Sequence, residues 1–91
     1  MGGQLDTTTM AVTVRYFAAA CAAAGVDSET LSLPPGTTVT GLIDTLAGRG
    51  PALATVLGRC SYLRDGRAIR FHETELQSGE TIDVLPPFAG G

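Results

Sequence analysis

The residues with the most chemical meaning are Leu85-Pro86-Pro87-Phe88-Ala89-Gly90-Gly91, the last seven of 91. The reactive group expected here is an α-carboxylate on Gly91. A carboxylate is a poor acyl donor, because its charge is delocalised and its oxygen leaves badly. As a mixed anhydride with AMP it becomes a good one, and a sulfur nucleophile can then capture the acyl group. The substrate would be the polypeptide's own end, threaded into another protein's pocket. Gly90 and Gly91 let backbone approach closely and reach dihedrals closed to other residues. From Pro86 to Gly91 the extended chain spans roughly 20 Å at ~3.3 Å per residue. Pro86-Pro87 sets the exit direction and lowers the entropy lost on docking. Phe88 can anchor the tail, which leaves Ala89 as the last side chain. Gly-Gly alone is weakly specific, arising by composition about once in 200 chains. Its weight depends on what carries it.

Length and composition predict one small domain with a core of Val, Leu, Ile and Ala, since aromatics are 5% of residues. The order strand, strand, helix, strand, strand makes it α+β with a mixed sheet. No apolar run approaches the ~20 residues that cross a bilayer, and no signal peptide is recognisable, so the expected location is the cytoplasm. The net charge of −3 argues against a nucleic-acid or anionic-membrane partner. All six cations are Arg, and Lys is absent. The chain therefore has no side-chain amine with which to accept an acyl group. Cys21 and Cys60 stand far apart with no paired spacing, so no metal site is expected and both read as reduced, small apolar fillers. His72 reads as a solvated loop residue.

Residues 1–10 are polar and Thr-rich and predict disorder. Residues 11–85 form the domain, and 86–91 a flexible tail. In Ala11–Ala18 the alternation puts Val12, Val14 and Tyr16 on one face and Thr13, Arg15 and Phe17 on the other, which is a strand with one wet face. A short Ala-rich helical turn to Gly25 and a strand Glu29–Leu33 follow. Thr38 caps a helix whose apolar stripe is Val39, Leu42, Ile43, Leu46 and Ala47, and Pro51 opens a shorter one. Strands Ser61–Arg64 and Arg67–Phe71 flank Asp65-Gly66, the favoured pair for a type I′ hairpin. The last strand is Thr81–Leu85, with Ile82 and Val84 inward.

Phe17 and Leu85 break the pattern. Both are large and apolar, and both fall on the polar parity of their strands. If the first and last strands run side by side in parallel, the two meet where the tail departs, and an exposed apolar cluster on a small domain signals a partner. The alternative is that twist or a bulge turns each back into the core.

The segments Val12-Thr13-Val14-Arg15-Tyr16-Phe17-Ala18 and Leu76 through Gly91 resemble the MoaD/ThiS family of sulfur carriers, ubiquitin-like proteins, over essentially Ala11 to Gly91. The double proline before Gly-Gly is most similar to the molybdopterin branch. Departures are the extra N-terminal residues and Asp65-Gly66 where the family often has Asn-Gly. The resemblance implies a β-grasp fold with one main helix on a mixed sheet. It implies that Gly91 is adenylated by an ATP-dependent, MoeB-like activating enzyme and converted by a sulfurtransferase system to a thiocarboxylate. The sulfur then goes to a pterin in the large, MoaE-like subunit of molybdopterin synthase, and no cofactor is held permanently. It implies docking through Phe17 and Leu85, with Ala68 or Ile69 as a third member. Rival readings are the same chemistry feeding cysteine or thiamin synthesis, a ubiquitin-like modifier joined to target lysines, and a binding module whose tail is idle.

Overall fold

The computed structural model describes residues 9–87. The expected disorder of residues 1–8, and the tail residues Phe88, Ala89, Gly90 and Gly91, lie outside the described residues.

β1 (Met10–Tyr16) alternates as expected. Val12 and Val14 are fully buried, Tyr16 nearly so, and Arg15 is exposed. The strand begins one residue earlier than the sequence pattern suggests, because Met10 is itself a core residue. α1 (Ala19–Ala24) is the short Ala-rich helix closed by Gly25 in the left-handed region. β2 (Ser28–Leu33) follows, then α2 (Val39–Ala47) and α3 (Pro51–Leu57). β3 (Ser61–Arg64), β4 (Arg67–Ala68) and β5 (Thr81–Leu85) complete a five-stranded sheet of order β2-β1-β5-β3-β4. β1 and β5 pair in parallel at its centre, and the other pairs are antiparallel.

α2 forms where its periodicity places it. The Thr38 hydroxyl accepts the Gly41 N–H at 3.1 Å, which caps the first turn. Val39, Leu42 and Leu46 are fully buried in one cluster with Val12, Val14, Tyr62, Ile82 and Val84 of the sheet. Burial of a Leu of this kind contributes about 1.5–3 kcal/mol, so Leu42 and Leu46 alone tie α2 firmly to the sheet. Cys21 and Cys60 are free thiols packed against this core.

One element is shorter than expected. The strand predicted as Arg67–Phe71 ends at Ala68. Asp65 (φ 48°) and Gly66 (φ 88°) make the type I′ turn, and the Ile69 N–H still donates to the Tyr62 carbonyl at 2.9 Å. Beyond that the chain serves α2 instead of the sheet. The His72 carbonyl accepts the Thr40 N–H and the Thr74 carbonyl accepts the Val39 N–H, each at 3.0 Å. Helix N-termini leave donors unsatisfied, and this loop supplies the acceptors.

Candidate functional site

The parallel register determines which residues of β1 and β5 stand side by side. Arg15 lies opposite Asp83 and Tyr16 opposite Val84. One residue further, the Phe17 N–H donates to the Val84 carbonyl at 3.2 Å, which brings Phe17 beside Leu85 at the end where the chain leaves the sheet. Both are half-buried, and neither belongs to the core cluster or to the residues packed against it. The sheet keeps them on its outer face.

The same face carries a pair that the sequence pattern does not suggest. Arg15 Nε donates to Asp83 Oδ1 at 2.6 Å and Nη2 to Oδ2 at 2.9 Å, a two-pronged ion pair. The Asp83 side chain is 8% exposed and that of Arg15 53%. Hydrogen bonding to Asp83, and then its charge, raises the Arg15 guanidinium above its ordinary pKa. The guanidinium carbon lies 5.5 Å from the centre of the Phe17 ring, within cation–π range. Asp83 thus fixes Arg15, and Arg15 sits against the ring of Phe17.

β3 extends this surface. Leu63 stands opposite Asp83 on one side and opposite Ala68 on the other, so both share the outward parity of Leu85. Ala68 is exposed and Leu63 half-buried. Ile69 turns the other way and packs against the core. Leu63 is the residue that the strand pattern alone missed. Its only signal is the parity set by buried Tyr62, and that has meaning only once β3 is known to pair with β5.

At the tail root Pro86 is buried and Pro87 exposed. With Ala19, Val56 and Arg59 they line a cleft of about 190 Å³ between the chain's exit and helices α1 and α3. Its near wall starts at an unusual backbone. Ala18 adopts φ 51°, ψ −126°, a region that favours glycine, and the Ala20 N–H closes the turn onto the Phe17 carbonyl at 3.0 Å. Among the described residues no cluster of His, Cys, Asp or Glu is arranged to hold a metal ion, and no helix is long and apolar enough to cross a membrane.

A mixed five-stranded sheet with parallel central strands and a helix across one face is the ubiquitin-like β-grasp fold. The chain belongs to the ThiS family, which its residues 14–91 match. It is 34% identical over 87 residues to the molybdopterin synthase sulfur carrier subunit of Homo sapiens, across 88% of this chain and 93% of that one. The solution structure of small archaeal modifier protein 1 from Methanosarcina acetivorans is similar at 30% identity and a TM-score of 0.77, over 92% of this chain and 99% of that one. A chain of the complex between subunits 1 and 2 of the molybdopterin-converting factor from Helicobacter pylori 26695 is similar at 26% identity and a TM-score of 0.67, over 90% of this chain and all of that one.

Proposed function

We propose that this chain is a sulfur carrier for molybdopterin synthesis, its working group the carboxyl of Gly91. The carboxylate attacks the α-phosphorus of ATP in an activating enzyme and pyrophosphate leaves, giving an acyl-adenylate. A cysteine persulfide of a sulfurtransferase then displaces AMP to form an acyl disulfide. Two equivalents of a thiol reductant cleave its S–S bond, leaving the thiocarboxylate, the enzyme's free cysteine and the reductant's disulfide. The large subunit of molybdopterin synthase would receive the tail and take that sulfur into a pterin dithiolene. The other catalytic groups belong to the partners.

The observation that carries this reading is the placement of Phe17 beside Leu85 at the root of a segment ending Gly90-Gly91, in a chain of this family. The likeness to the Helicobacter pylori chain, solved with its second subunit, supports a large-subunit partner. The test is the intact mass of the protein after incubation with an activating enzyme, ATP and a sulfur source. Replacement of one oxygen by sulfur at the C-terminal residue is expected, and a mass that stays unchanged with a competent enzyme refutes the reading.

A second reading has its own support in the likeness to the Methanosarcina acetivorans modifier. Here the Gly91 acyl group would pass to a lysine amine on a target protein. With no Lys in this chain, lysine-linked self-chains cannot form. Peptide mapping of conjugates from cells separates the two readings, because only the modifier leaves a Gly-Gly remnant on other proteins' lysines.

A further inference from the structure

The β4 edge of the sheet carries a feature that the chemistry at Gly91 does not use. Arg64, Arg67 and Arg70 line a pocket of about 270 Å³ together with Ile69, Phe71 and Thr74. These are half of the chain's cations, in a protein whose net charge is −3, and no carboxylate lines the pocket. Arg64 Nε reaches Glu80 Oε2 only loosely, at 3.5 Å. Arg67 and Arg70 make no side-chain hydrogen bond or ion pair among the described residues. Phe71 is 71% exposed, the most exposed large apolar side chain among the described residues. Glu73 and Glu75 follow on the same loop but stay outside the lining.

Surface arginines are ordinarily scattered among acids, which limits local repulsion. Here three cations share one wall with a bare aromatic ring, so a complementary ligand would bring both negative charge and apolar surface. We infer that this pocket docks an acidic segment of a partner protein, with an apolar side chain of that segment seated against Phe71 and Ile69. A polyanion such as RNA fits less well. The basic surface is one pocket wide on an acidic chain, and an extended phosphate backbone would meet repulsion beyond its edge. Ala68 lines this pocket and also stands opposite Leu63 on the outer face. A partner that covers Phe17, Leu85 and Leu63 therefore reaches the arginines without a second approach. The partner's identity rests on the sulfur-carrier reading, but the binding of an acidic segment does not, so the two fail separately.

The experiment titrates the isotope-labelled full chain with a short blocked peptide of glutamates around one phenylalanine, with its lysine counterpart, and with polyuridylate. The glutamate peptide is expected to give saturable NMR shifts at the side-chain N–H groups of Arg64, Arg67 and Arg70 and at Phe71. The double variant Arg67→Glu/Arg70→Glu should weaken it by about tenfold or more, and Phe71→Ala several-fold. All three substituted residues are exposed, and unchanged melting shows that the fold is intact. Equal affinity in the charge-reversed variant, shifts centred on Arg49 or Arg59, or tighter binding of polyuridylate each overturns the inference. If the wild-type chain never acquires sulfur at Gly91 yet binds the peptide in this way, the carrier reading falls and this one stands.

Discussion

Arg15 and Asp83 face each other across the parallel pairing of β1 and β5, joined by two hydrogen bonds of 2.6 and 2.9 Å. The pair is asymmetric, since the carboxylate is almost buried while half of the arginine meets water. Removing the arginine strands a buried charge, whereas removing the carboxylate leaves a cation that water can solvate. We expect Arg15→Ala to lower stability clearly more than Asp83→Asn does. Urea unfolding of both variants checks the order, and an equal or reversed order would contradict the asymmetry.

Phe17 and Leu85 sit outside the core, so their removal should cost binding more than folding. Phe17→Ala or Leu85→Ala is expected to weaken association with the molybdopterin synthase large subunit by about tenfold or more, with a small shift in melting temperature. Calorimetric titration beside thermal unfolding measures both. A large melting shift with intact affinity would make them packing residues.

On the proposed sulfur-carrier reading, Gly91→Ala adds one methyl group where the backbone would enter another protein's active site. Adenylate formation should fall sharply while melting is unchanged, because the domain's core is closed by residues 10–84. ATP–pyrophosphate exchange with the activating enzyme reads the first quantity. Full activity in the variant would remove the reason for a glycine there.

Ala18 holds φ 51°, ψ −126°, a backbone region that costs an alanine more than a glycine. Ala18→Gly should therefore stabilise the protein by about 1 kcal/mol, as strain relief outweighs the added flexibility of the unfolded chain. Destabilisation in urea would show that the methyl group contributes packing that exceeds the strain.

Glu29 accepts hydrogen bonds from Arg49 and, at 2.6 Å, from the Tyr16 hydroxyl. The bond from Arg49, aided by that from Tyr16 and opposed by burial, holds its carboxyl below the usual value. Burial, and then the bond to Glu29, raises the Tyr16 phenol well above its own. Since the folded value of Glu29 lies below the unfolded one, its contribution is complete above about pH 4.3 and is lost as pH falls through the folded value. Glu29→Gln should flatten that part of the stability–pH curve. Parallel curves for wild type and variant would show that Glu29 is not the titrating group.

Much of this was legible along the chain because its causes are local. Strand parity put Val12, Val14, Ile82 and Val84 inward, the helical stripe put Leu42 and Leu46 in the core, and Asp65-Gly66 announced its turn. The pattern carries the strand after that turn on to Phe71, whereas it ends at Ala68. The competing demand came from α2, whose N-terminal donors take the carbonyls of His72 and Thr74, and a pattern read along one segment cannot register a need in another.

By itself, the sequence determined most of the elements and the outward parity of Phe17 and Leu85, since each follows from neighbours a few residues apart. It also supplied the Gly-Gly pair on which the proposed acyl chemistry rests. Only the tertiary structure decided that Arg15 clasps Asp83, that Leu63 joins the outer face, and that three arginines gather around Phe71. Those relations depend on strand order and register, set by how the whole apolar surface is buried at once, and no local stretch of chain contains that information.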